Sequence, residues 1–262
     1  MRVSLVTPCY NKAPYLEAAL RSVLDQRYAD LEYGVVDGGS TDGSREILER
    51  HADRLAFVIR EADAGMYDAL AKGFARSNGE IMGYLGADDL HLPWTLAVVT
   101  EVFSTFPEVE WLTSLYPLTA DARGIVLKAR KLSPPCAKAF FRGANLAGMG
   151  RPSAGWIQQE STFWRRTLWD RCGGFDSALK RAGDFDLWCR FMRQAEPVGV
   201  TAPLAVFRRH GDQISSTQAA AYAQEALESL RRYGGTLEPI LSARGRAALN
   251  GIGLGTRGRT AT

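Results

Sequence analysis

Residues 3–37 read VSLVTPCYNKAPYLEAALRSVLDQRYADLEYGVVD. Val3–Thr7 is a short apolar, β-branched run ending at Pro8, the pattern of a buried strand. Leu16, Ala19, Leu20, Val23 and Leu24 then recur at helical spacing, and Pro14 suits a first helical turn. Leu31–Val36 is a second apolar run, closed by Asp37-Gly38-Gly39. Strand, helix and strand within so short a span predict a parallel crossover.

The rhythm continues outward. Ser44–Arg50 predicts a short helix, with Ser40, Thr41 and Asp42 at hand as caps. Phe57–Ile59 predicts a third strand; Met66, Leu70 and Phe74 mark one face of a helix. Ile81–Leu85 predicts a fourth strand, ending at Gly86-Ala87-Asp88-Asp89, and Trp94–Phe106 a helix stopped by Pro107. The fold expected is α/β, a mostly parallel Rossmann-like sheet with helices on both faces. Such sheets bind ligands beyond the carboxyl ends of their strands. The polar clusters at Thr7–Asn11, Asp37–Ser40 and Asp88-Asp89 should therefore meet in one crevice.

The second half is less regular. Strands are expected over Val126–Leu132, Thr162–Trp164 and Val198–Phe207, and helices over Thr167–Arg171, Asp184–Arg193 and Ser216–Tyr233. The Gly-rich stretch from Ala137 to Gly155 predicts a mobile loop on the acceptor side, and the tail from Gly251 a frayed end. No linker divides the chain. The expected organisation is one domain over 1–215, followed by a C-terminal helix and tail over 216–262.

Four constellations can carry chemistry. Asp88-Asp89 puts two carboxylates at a strand end, where a magnesium or manganese ion would offset their repulsion and hold diphosphate oxygens; capping the next helix is the plain alternative. In Asp37–Ser44 the glycines let backbone approach a ligand, and Asp37 can accept from a base N–H; an ordinary capped turn would look the same. Asp184-Phe185-Asp186 offers a carboxylate at a helix start for use as a general base, or merely an acidic N-terminus favoured by the helix dipole. Arg208-Arg209-His210 suits a metal ligand or a diphosphate contact, or an exposed basic loop. His51 and His91 read as incidental.

In order and spacing these segments resemble the family 2 glycosyltransferases with the GT-A fold. The matching stretches are VSLVTPCYNKAPYLEAALRSVLDQ, VVDGGSTDGSREIL, EADAGMYDALAKGFARSNGEIMGYLGADDLHLP, ESTFWRRTLWDRCGGFD and AGDFDLWCRF, together spanning about residues 3 to 215. EADAGMYDALAKGF is similar to the branch active in bacterial surface-polysaccharide assembly. The resemblance implies that Thr7, Pro8 and Tyr10 line the nucleotide pocket, Asp37 bonds the base and Ser40 lies beside the nucleotide. It implies Lys72 near the ribose and diphosphate, Asp88 as the metal-binding carboxylate helped by Asp89 and His210, and Asp184 as the base that deprotonates an acceptor hydroxyl. Mg2+ or Mn2+ would be the cofactor, a nucleotide-sugar, preferably of UDP, the donor, and a saccharide or lipid-linked saccharide the acceptor. Single displacement with inversion is the implied outcome. Two positions depart from the family pattern: Gly86 opens the acidic motif where Asp is common, and Gly183 precedes the base where Glu is common.

Bulk properties agree. The 262 residues are 46% hydrophobic and 23% charged, an ordinary globular balance. A net charge of +3 is too mild to suggest nucleic acid. Cys9, Cys136, Cys172 and Cys189 show neither redox nor zinc spacing and read as reduced thiols. No secretory leader and no bilayer-spanning run is visible, so the expected location is cytoplasmic, with any membrane contact peripheral at the inner face. A sugar nucleotidyltransferase would place a Gly-rich basic loop after the first strand, where Pro8–Lys12 stand instead. A non-catalytic nucleotide-sugar binding module would not need Asp37, Asp88 and Asp184 together. A nicotinamide dehydrogenase lacks its G-x-G-x-x-G fingerprint here.

Overall fold

A computed structural model describes residues 1–146, 153–211, 213 and 217–237. The N-terminal half runs β1 (Val3–Cys9), α1 (Ala13–Leu24), β2 (Leu31–Asp37), α2 (Ser44–Arg50), β3 (Phe57–Arg60), α3 (Met66–Arg76) and β4 (Ile81–Tyr84). Then come β5 (Leu90–His91), α4 (Thr95–Thr105), β6 (Trp111–Ser114), β7 (Leu118–Ala120), β8 (Val126–Ala129) and α5 (Ala137–Phe140). The remainder is β9 (Thr162–Arg165), α6 (Arg166–Cys172), α7 (Gly183–Met192), β10 (Val198–Val200), β11 (Ala205–Arg208) and α8 (Ala219–Arg232).

The main sheet has seven strands in the order β10-β6-β9-β4-β1-β2-β3. All its pairings are parallel except those of β9, which runs antiparallel to both β4 and β6. Its strands read as unbroken apolar runs because both faces are covered. Alternation sorts their side chains. Val6, Val36, Met82 and Trp164 face α3, α6, α7 and α8, whereas Leu5, Val35, Ile81 and Phe163 face α1, α2 and α4. Trp111 and Trp188 stack at 5.4 Å in the first layer, the kind of aromatic pair that adds about 0.5–1.5 kcal/mol beyond its buried area. Ala226, Leu227 and Leu230 of α8 belong to that same layer, so residues on both sides of position 215 share one core.

A smaller four-stranded sheet, β5-β11-β7-β8, holds the loop after β4. Arg208, at the end of β11, donates from Nε to the Asp88 carbonyl at 2.7 Å, and its backbone N–H donates to Asp89 Oδ1 at 2.9 Å.

Two sequence expectations need correcting. Val198–Phe207 is not one strand: β10 pairs with β6 in the main sheet and β11 with β5 and β7 in the small one, with Pro203 between them. Pro203, which cannot donate to a central ladder, marks the change of sheet. Residues 137–146 and 153–155 are built rather than unpatterned: Phe140 and Leu146 are fully buried, and Asn145 Nδ2 donates to the Gly155 carbonyl at 2.8 Å. The rest of that expected loop, and the tail from 238 onward, lie outside the described residues.

Candidate active site

The loops at the carboxyl ends of β1, β2 and β4 are tied together before any ligand is considered. Asn11, at φ 51°, donates its N–H to Ser40 Oγ at 2.8 Å and accepts from Thr41 N–H at 2.9 Å. Asp42 accepts from the Ala13 N–H at 2.8 Å, so a carboxylate meets the positive end of α1. Beside these loops opens a cavity of about 580 Å3, large enough for a nucleotide-sized ligand.

Asp88 stands at one part of its wall. Lys12 Nζ lies 2.8 Å from Asp88 Oδ2, and His210 Nε2 donates to the same oxygen at 2.9 Å. Burial alone would push this carboxyl up; the Lys12 ammonium and the His210 bond outweigh it and hold the group below the usual carboxylate range. The His210 ring stacks on Tyr15 at 4.4 Å, and its Nδ1 is buried without a hydrogen-bond partner among the described residues. Asp88 Oδ2 and His210 Nε2 lie 2.9 Å apart, an oxygen and a nitrogen that could both turn to a divalent cation if Lys12 and the proton between them gave way. No group of three His, Cys, Asp or Glu side chains converges as a metal site among the described residues, so the remaining ligands would be substrate oxygens and water. Asp89 is 2% exposed and accepts from the Arg208 backbone N–H; burial, with Glu160 and Asp88 nearby, pushes it well up.

Asp184 stands in another part of the same wall, in the first turn of α7. Its Oδ1 accepts from the Phe185 N–H at 2.8 Å, from the Tyr222 hydroxyl at 3.4 Å, and from the Tyr67 hydroxyl at 3.1 Å, which also lies 3.0 Å from the Arg181 carbonyl. All the described bonds fall on Oδ1, which leaves Oδ2 for an incoming hydroxyl. Burial raises the carboxyl to about 6 despite those bonds, a value suited to accepting a proton near neutral pH. Gly183 explains itself here: a Cβ would stand 2.7 Å from the Tyr67 ring, so this tyrosine occupies the space a glutamate there would need. Gly86 is similar, since its Cβ would come within 3.0 Å of Asp88 Oδ1 and Asp89 Oδ2.

The lining also carries polar atoms that the protein leaves unsatisfied. Tyr84 Oη, Gln158 Oε1, Gln159 Oε1, Glu160 Oε1 and Trp188 Nε1 belong to lining residues and are buried without a partner among the described residues. Each such orphan costs roughly 1–3 kcal/mol. Burial, with Asp184 and Asp88 adding their charge, raises Glu160 to about 8, so it presents a neutral carboxyl near neutral pH.

Of the residues singled out from sequence, Pro8, Tyr10, Asp88, Asp89 and Asp184 line the cavity, and His210 reaches it through Asp88. Thr7 lies beneath, its hydroxyl bonded to Tyr33 at 2.8 Å. Asp37 is 2% exposed and accepts from the Ser40 N–H at 3.0 Å, while Asp63 packs over Gly38 next to it and does line the cavity. Lys72 does not reach the cavity; it pairs with Glu61 at 2.9 Å and Asp68 at 3.2 Å, bracing the loop that carries Asp63. Sequence reasoning missed Lys12, Asp63, Glu160 and Tyr222. Lys12 and Asp63 sit inside stretches already quoted, but Tyr222 reaches the site only through the packing of α8.

A mostly parallel sheet whose strand-end loops carry an acidic centre, closed by an antiparallel β9 and a helix bearing a second carboxylate, defines the GT-A class of α/β folds. Among solved structures it is shared by the glucosyl-3-phosphoglycerate synthase of Mycobacterium tuberculosis in complex with Mn2+, uridine-diphosphate and glucosyl-3-phosphoglycerate. The TM-score is 0.63 at 15% identity over 90% of this chain and 81% of that one, a likeness of fold. Residues 4–115 match the family described as Glycosyl transferase family 2. An uncharacterized glycosyltransferase of Nostoc sp. is 38% identical over 109 residues, 40% of this chain and 34% of that protein. The O-antigen biosynthesis protein RfbC of Myxococcus xanthus is 30% identical over 225 residues, 83% of this chain and 16% of that protein. The chain thus spans 34% and 16% of the length of these two relatives. Among the described residues no helix is long and apolar enough to cross a membrane.

Proposed function

We propose that this chain transfers a sugar, with inversion, from a nucleotide-diphosphate donor to an acceptor hydroxyl, in the assembly of a surface polysaccharide. The observation that carries the reading is one cavity holding Asp88 with its cations and Asp184 with a free oxygen. The uridine-diphosphate and Mn2+ of the structural neighbour support a UDP-sugar and a divalent ion, and the O-antigen relative supports a polysaccharide product.

In this mechanism the strand-end loops bearing Pro8, Tyr10, Asp37, Ser40 and Asp63 seat the nucleoside. Asp88 and His210 would hold Mg2+ or Mn2+, which when bound would supply positive charge against the departing diphosphate. Lys12 gives up its grip on Asp88 and is free to meet a phosphate oxygen. Tyr67 and Tyr222 fix Asp184 by Oδ1 so that Oδ2 faces the acceptor. As the acceptor oxygen attacks the anomeric carbon, its proton passes to Asp184 and the bond to the diphosphate breaks. One displacement on the face opposite the leaving group inverts the centre, and no covalent sugar–enzyme bond is needed.

A panel of nucleotide sugars tests the reading without knowledge of the acceptor. One of them should bind in a Mg2+- or Mn2+-dependent way and be hydrolysed slowly to free sugar and nucleoside diphosphate. Binding with no hydrolysis or transfer would instead leave a binding module. Pyrophosphate release from a nucleoside triphosphate and a sugar phosphate would replace the reading with nucleotidyl transfer.

A further inference from the structure

Charge is unevenly distributed along this chain. Residues 122–159 hold seven of the 32 Lys and Arg and none of the 29 Asp and Glu, although the whole chain carries only +3. Near the start of that segment the β7–β8 hairpin stands out from the small sheet. Every residue of β8 is exposed, and β8 is an outer strand whose far edge has no neighbour in the sheet. Ile125, Val126 and Leu127 are 54%, 49% and 63% exposed in succession, so apolar side chains emerge on both faces of the strand. Lys128, Arg130 and Lys131 follow at once, all exposed. Among the described residues neither Lys128 nor Arg130 has an acidic partner; Lys131 lies over the Tyr116 ring at 6.0 Å.

Edge strands are usually guarded by charge, a bulge or a covering element. Here Lys128 in β8 and a register shift at Thr119/Ala120 supply two such guards, yet Ile125, Val126 and Leu127 remain bare, and the cations beside them match the chemistry of an anionic bilayer surface, with apolar groups at the acyl boundary and cations at the headgroups. The hairpin is placed to matter. β7 runs parallel to β11, so both end together, with the Arg209 N–H donating to the Ala120 carbonyl at 2.9 Å. Gly124 in the turn faces Leu90, one residue beyond Asp89. A membrane held at this tip lies close to the loop that carries Asp88.

We infer that the β7–β8 hairpin docks the protein on an anionic phospholipid surface, with Ile125, Val126 and Leu127 entering the interface and Lys128, Arg130 and Lys131 meeting headgroups. The contact gains its use from the proposed reading, because an acceptor carried on a lipid would then be delivered beside the site. The binding itself is measured without any sugar transfer.

The test is co-flotation of the full chain with vesicles of phosphatidylcholine alone or with about a third phosphatidylglycerol, at near-physiological salt. The chain should float with the anionic vesicles only. Binding should fall about tenfold or more in Lys128→Glu/Arg130→Glu, two headgroup contacts reversed, and comparably in Val126→Ser/Leu127→Ser. Nucleotide-sugar hydrolysis and thermal unfolding of both variants should match the parent, since none of these residues touches the cavity. Equal flotation of parent and variants, or no flotation at all, overturns the inference. A dimer seen by light scattering that both variants dissolve, without vesicle binding, assigns the edge to a second copy and overturns it too. Vesicle binding without any nucleotide-sugar hydrolysis would leave the docking standing and remove the proposed activity.

Discussion

At the scale of single residues, the pH dependence of the rate should be set by two buried carboxyls. Burial raises Asp184 to about 6, so below that pH the base carries a proton and cannot take another. The rate at limiting substrate should climb about tenfold per pH unit up to roughly pH 6 and then level. Glu160, raised to about 8 by burial and by its acidic neighbours, ionises on the alkaline side and brings further negative charge to a site that must hold a diphosphate. A falling limb near pH 8 should follow. Asp184→Asn should cut turnover by about 10²–10⁴ while donor affinity stays within about threefold. Glu160→Gln should keep most of the neutral-pH rate and lose the falling limb; a limb that persists would assign it to another group. Asp88 and Asp184 were legible in sequence only through the order and spacing of the whole set of motifs, since a carboxylate at a strand end or a helix start is by itself an ordinary cap. Glu160 was not: nothing in the Gln-Gln-Glu run tells which side chain is buried and left without a partner.

At the scale of elements, the start of α7 is fitted to Tyr67. The ideal Cβ at position 183 meets that ring at 2.7 Å, and Tyr67 is itself 1% exposed, so neither side has room to give. Gly183→Ala should therefore destabilise by about 1–3 kcal/mol, the usual range for overpacking. In a chain of this size that is a melting temperature lower by several degrees, roughly 2–4 °C for each kcal/mol. Displacing the ring also slackens its bond to Asp184, so the rate should drop beyond what the lost stability explains. Thermal unfolding and steady-state kinetics on the same sample would show both, and an unchanged melting temperature would refute the fit. Elements were read from sequence where burial imposed a pattern. β1 to β4 are apolar runs because helices cover both sides, and α1 and α3 keep their helical spacing because one face packs on the sheet. β6 is too short for its alternation to register, and within residues 198–207 it is Pro203, unable to donate to a ladder, that signals the break between one sheet and the other. α5 was hidden because its order comes from Phe140 and Leu146 entering a distant core, a tertiary cause with no local period.

At the scale of the whole molecule, the site is assembled from segments far apart in the chain, and its acidic centre is already neutralised from within. Lys12 comes from the loop after β1, Asp88 from the loop after β4 and His210 from beyond β11, and all three meet at one carboxylate oxygen. A divalent ion entering alone must displace an ammonium and gains few protein ligands. A nucleotide sugar entering alone brings its diphosphate toward a carboxylate. Together they would complete each other: an ion held by Asp88 and His210 would supply positive charge to the diphosphate, and Lys12, released from Asp88, would be free to meet a phosphate oxygen. Binding linked in this way should be visible as thermal stabilisation. At about a hundred times the dissociation constant a ligand adds about 2.7 kcal/mol, which here means a rise of roughly 5–10 °C. Mn2+ with the correct nucleotide sugar should give that rise, and either alone much less. Asp88→Ala should abolish the difference between the pair and the nucleotide sugar alone. A full rise from the nucleotide sugar in excess chelator would remove the ion from the site and leave Lys12 as the group that holds the diphosphate.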